Sequence, residues 1–166
     1  MYYGPNLSTN PCLFSQSMRQ SYPTPYEALQ TSLQTIRDTA AASTNVEAFQ
    51  QRLLALAPTD EDRAVLTSIF EDERTHQQYL REIYKAFTGQ EVPVSAPIAV
   101  LPMPTSYESG LRSALYHKWN NAQKHGFILA AMPTGYYQNL IAKMAVDNTI
   151  HGEKLTYLIQ KQSVNH

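Results

Sequence analysis

"EDERTHQQYLREIYKAFTGQ", residues 71–90, sets a carboxylate and an imidazole three residues apart, at Glu73 and His76. On a helix that spacing puts both side chains on one face. Followed in alternating steps of three and four, the same face reads Leu66, Ile69, Glu73, His76, Leu80, Ile83 and Phe87. The pair therefore sits on an apolar seam, with Leu and Ile on both sides of it. A polar group on such a seam must be satisfied by a neighbour, by water or by a metal.

The same pattern returns further along the chain. Shifted by 75 residues, Pro58 meets Pro133, Val65 meets Leu140, Asp72 meets Asp147, His76 meets His151 and Leu80 meets Leu155. The second seam reads Ile141, Met144, Asn148, His151, Leu155 and Leu158. Two more helices share the register. Helix A gives Leu29, Leu33, Ile36, Ala40, Ser43, Glu47, Gln50, Leu54 and Ala57, and helix C gives Leu111, Leu115, Lys118, Ala122, His125, Leu129 and Met132. Each seam is polar in the middle and apolar at its ends, which predicts a bundle with a polar waist.

Boundary signals place the helices at about 25–57, 60–88, 106–132 and 135–162. Thr24 and Glu27 form a capping box with Pro25 at the first helical position. Thr59 or Asp60 caps the second helix, Gly89 ends it, and "TSYE" at 105–108 reads as a second capping box. Short turns join the first two helices and the last two, so each pair is an antiparallel hairpin. A helix of about 25 residues is roughly 38 Å long. The crossover at 89–105 reaches about 50 Å when extended, enough to span the bundle. The fold class expected is all-α: a four-helix bundle of two repeated hairpins joined by a long crossover, residues 25–166, with an extended or disordered N-terminal arm at 1–24.

Composition narrows the function. A chain of 166 residues is one domain. Its net charge of −1 gives no electrostatic case for nucleic acid or an anionic membrane. Cys12 is the only cysteine, so neither an intrachain disulfide nor a thiolate zinc site is available. The first residues lack the basic start and apolar core of a secretory signal, and no apolar stretch is long enough for a bilayer.

With "IFEDERTH" followed by "LREIYKAFTG", the chain resembles the ferritin-like superfamily, and in particular the small rubrerythrin-like proteins of spore-forming bacteria. The resemblance covers roughly residues 25–162. It implies an antiparallel ferritin-like bundle, a cytoplasmic or spore-associated location, and two irons held by a glutamate from each of helices A and C and Glu-x-x-His from each of B and D. Carried over, those positions are Glu73 and His76 on B, Asn148 and His151 on D, Ser43 on A and Lys118 on C. The positions that carry tyrosine in the family are Gln50 and His125. Three carboxylates are therefore substituted, one of them by a cation, and a full di-iron centre is not expected.

Two readings follow. In the first, Lys118 pairs with Glu73 in place of the metals, and the chain is a non-catalytic structural or assembly protein whose Tyr/Pro-rich arm binds other chains or a second copy. In the second, Glu73, His76, His151 and Glu47 hold one Fe, Mn or Zn ion. The chain would then be a metal-dependent oxidase, a peroxidase-like or an iron-handling protein. Glu47 is also readable as a solvated residue, should helix A be rotated by a few tens of degrees. His117 lies off the seam and is expected to be exposed. The absence of C-x-x-C pairs excludes a rubredoxin-type electron-transfer module.

Overall fold

The computed structural model describes residues 22–93 and 101–164. The expected arm at 1–24 falls outside these except for its last three residues, and so does the middle of the crossover. Five helices form: α1 Pro25–Ala41, α2 Ser43–Leu56, α3 Asp60–Thr88, α4 Tyr107–Ala131 and α5 Tyr136–Val164. There is no strand among the described residues.

Local chemistry explains most of the boundaries. The Thr24 side chain accepts from the Glu27 N–H at 3.3 Å, while the Thr24 N–H donates to Glu27 Oε2 at 2.8 Å. Thr59 caps α3 by accepting from the Asp62 N–H, and Gly89 closes it in the left-handed region at φ 71°. The cap of α4 lies one residue later than expected: Ser106 pairs with Ser109, and Glu108 instead forms a 2.9 Å ion pair with Arg112.

The long first helix expected at 25–57 is divided at Ala42, where ψ is −2°. Arg81 of α3 reaches across to the break, donating to the Ala40 carbonyl at 2.9 Å and to Ser43 Oγ at 3.1 Å. The break turns α2 about its axis relative to α1. Val46, Phe49 and Leu53 become buried, while Glu47 faces solvent.

Two apolar clusters occupy the ends of the bundle. One holds Phe49 and Leu53 of α2, Leu66 and Ile69 of α3, Leu111 and Leu115 of α4, and Leu155 and Leu158 of α5. The other holds Leu33 and Ile36 of α1, Leu80 and Ile83 of α3, Ile128 of α4, and Ile141 and Met144 of α5. Because α3 and α4 both start in the first cluster and end in the second, they run the same way, with α1–α2 and α5 opposed. Val92 packs in one cluster and Leu101 in the other, so the crossover travels from one end to the other. Asn45 anchors its far part: its Oδ1 accepts from the Leu101 N–H at 2.9 Å. Between the clusters lies a buried polar layer.

Candidate functional site

The layer contains Glu73, His76, Lys118, His125, Asn148 and His151, all buried. Helical spacing brings them to neighbouring levels: α3 supplies Glu73 and His76 from one turn, α4 supplies Lys118 and, about two turns on, His125, and α5 supplies Asn148 and His151 from one turn. Lys118 Nζ stands 2.6 Å from Glu73 Oε1, with the two side chains 4% and 6% exposed.

The electrostatics follow from this pairing. Burial alone pushes the Glu73 carboxyl upward, but the Lys118 charge overrides it and holds the carboxyl far below its usual range. Burial also pulls the Lys118 ammonium downward, against the opposing pull of Glu73. Burial brings His125 down to about 4, so the ring is neutral at pH 7. His151 is lowered by burial, with its bond to Asp72 acting the other way.

The two seam histidines are held by carboxylates from the opposite hairpin. His76 Nε2 donates to Asp147 Oδ2 at 2.8 Å, and His151 Nε2 donates to Asp72 Oδ2 at 2.9 Å. In a neutral ring this hydrogen bond places the proton on Nε2 and leaves Nδ1 as a lone pair. Both Nδ1 atoms lack a partner and face Glu73 Oε1, at 3.4 Å from His76 and 3.9 Å from His151. Asn148 Nδ2 donates to the Met144 carbonyl at 2.7 Å and to His125 Nδ1 at 3.2 Å.

Of the positions singled out in the sequence, Glu73, His76, Lys118, Asn148, His151 and His125 meet in this layer. Gln50 is buried and, with Ser43 and Glu73, lines a crevice of about 10 Å³, close to the space of a single water. Glu47 stands apart: the turn of α2 at Ala42 leaves it exposed on the crevice's rim. His117 is a second correction. It is half-buried, accepts at Nε2 from Asn121 Nδ2 at 3.1 Å, and is brought down to about 4 by burial. It lines, with Gln77 and Asn121, a cleft of about 470 Å³ beside the Ala42 break.

Sequence reasoning gave no role to Asp72, Asp147 or Arg81. The signal for the aspartates was present, since each stands four residues before a seam histidine. Helical spacing pairs them within a helix, whereas the structure crosses them between α3 and α5. Arg81 carried no signal, because its partner is a break that the seam does not announce.

A two-iron centre needs carboxylates converging from all four helices. Here the Arg81 guanidinium holds Ser43, the Lys118 ammonium meets the one central carboxylate, and Asn148 supplies a neutral amide. These residues do not fit two metal ions, whose charge would repel the ammonium in a site screened from water. Among the described residues no group of three or more His, Cys, Asp or Glu side chains is arranged to hold a metal ion. No helix among them is long and apolar enough to cross a membrane. Compared with known protein families, with curated proteins and with solved structures, the chain matches none.

Proposed function

We propose that this chain is a ferritin-like, rubrerythrin-like bundle in which an internal ion pair stands where a di-iron centre would be, and that it serves as a non-catalytic structural or assembly protein. One observation carries the reading: Lys118 Nζ lies 2.6 Å from Glu73 Oε1 with both side chains buried. The directions of the helices, the end-to-end crossover and the 75-residue register of the sequence support the ferritin-like part of it. In this reading the lysine supplies the positive charge that the central carboxylate needs. Removing one partner of a buried pair strands the other at a cost of about 3–5 kcal/mol. The test compares metal content and denaturant stability of the wild-type chain with those of Lys118→Ala. Wild type is expected to contain no stoichiometric metal, and the variant to be strongly destabilised. Two irons per chain in the wild type end the proposal.

The two unpartnered Nδ1 atoms facing Glu73 favour a second reading, in which one metal ion displaces Lys118 from Glu73. His76, His151 and Glu73 are not arranged to hold a metal as they stand, and would become its ligands only once Lys118 withdraws and the side chains close in, with Asp147 and Asp72 orienting the imidazoles. One equivalent of metal bound by the wild type and lost in His151→Ala supports that reading. Binding that is unchanged in the variant removes it.

A further inference from the structure

We infer that the outer face of the α4–α5 hairpin is a docking surface for a second copy of this chain. Six large apolar side chains point outward there, Tyr116, Trp119 and Phe127 on α4 and Val146, Ile150 and Tyr157 on α5, each between 43% and 71% exposed. On each helix they repeat at steps of three, four, seven or eight, and so form a stripe on the side away from the core. The opposite hairpin does not share this property. In the 75-residue register Phe127 answers to Arg52, Val146 to Glu71 and Tyr157 to Glu82, all three exposed. The apolar face therefore belongs to the second hairpin alone, and the core does not require it.

Between the two stripes the helices approach closely and the surface dips. Trp119 lies over Gly152, where an added Cβ would meet the indole nitrogen at 3.2 Å, and Tyr116 packs edge-on against Trp119 with ring centroids 5.5 Å apart. Beside them Thr149, Gly152, Thr156 and Tyr157 line an open groove of about 400 Å³. Rigid aromatics beside a groove of small residues are what an interface uses as anchor and receptor.

Area and charge point to a second copy as the occupant. An aromatic side chain carries about 150–250 Å², so the four half-exposed aromatics alone present on the order of 500 Å², near the largest apolar patch of an ordinary monomer. With the aliphatic pair and the groove, the face approaches the roughly 800 Å² per partner of a stable interface. The two stripes hold one acid and no base, Glu153, so a charged partner gains nothing there and self-pairing meets little repulsion. A two-fold axis across the helices makes the contact isologous. It lays Phe127 of one copy, the most exposed of the six, toward the Trp119–Tyr157 groove of the other. The inference is independent of the Lys118–Glu73 reading, and it uses a surface other than the N-terminal arm.

Sedimentation velocity on the full chain across the micromolar range tests it, alongside Phe127→Glu, Ile150→Glu and the double variant. Both sites are exposed, so far-UV circular dichroism should stay that of the wild type, while the melting curve should lose only the concentration dependence that a dimer gives it. The expected result is a wild-type dimer, at least tenfold weaker association in each single variant, and a monomer in the double variant. A wild-type chain that is monomeric throughout overturns the inference, and so does a dimer that persists unchanged in the folded double variant.

Discussion

The two hairpins of this bundle divide its chemistry. The first brings the acid to the centre, Glu73, and covers its outside with charge. The second brings the cation and the amide, Lys118 and Asn148, and covers its outside with aromatic rings. Neither half is satisfied alone, since the Glu73 carboxylate needs the ammonium of the other hairpin and each seam histidine takes its aspartate from across the bundle.

The sharpest way to break this complementarity is to remove the cation. Lys118→Ala should cost about 3–5 kcal/mol in urea denaturation. Glu73→Leu combined with Lys118→Met removes both charges and should recover most of that loss, so the double variant separates pairing from packing. An equal loss in both would show that volume, not charge, dominates the layer.

Acid should act on the second hairpin through its own imidazoles. His117 and His125 are brought down to about 4 in the folded chain, below the unfolded value near 6.5. Between those limits the unfolded chain binds more protons, so stability falls as pH drops from about 6.5 to 4. The loss should be on the order of 2–3 kcal/mol per ring, less what solvent screening removes. His125→Gln should flatten the slope of stability against pH, leaving the part due to His117 and His151. The depressed Glu73 and Asp62 carboxyls act at lower pH, where their stabilisation is lost as pH falls toward their folded values.

A smaller effect is expected at the tie between the hairpins. Fully buried Asp62 of α3 accepts from Lys161 Nζ of α5 at 2.6 Å and from Thr59 Oγ1 at 2.9 Å. Asp62→Asn keeps the shape and loses the charge-assisted bond, for about 1.5–3 kcal/mol in the same denaturation assay. On the charged outer face of the first hairpin, Glu71→Ala should stay within about 0.5 kcal/mol of wild type. A large effect there would mean that this face, too, is covered by a partner.

Much of the layout was legible in the residues. Steps of three and four through Glu73 and His76 located the buried seam, and Thr24, Thr59 and Gly89 marked helix ends by their own chemistry. Lys118 could be placed opposite Glu73 from the register, and the structure puts the two in contact. The failure in the first helix comes from the break at Ala42. A seam read with a constant period assumes an unbroken helix, so it kept Glu47 inside and missed Val46, Phe49 and Leu53. The crossed Asp–His pairs were beyond a single-helix pattern, because spacing shows which residues share a face and not which helix faces them. His117 was misread for the same reason: it stands off the seam of α4, yet α1 and α3 wall in the cleft that it lines.

Metal content is the most direct test of whether Lys118 holds the cation position. Untagged wild-type chain, incubated with Fe(II) in air and then desalted, is analysed by inductively coupled plasma mass spectrometry. Occupancy of the layer by the lysine predicts well below one metal ion per chain. Two irons per chain, or one that is lost in His151→Ala, would contradict it.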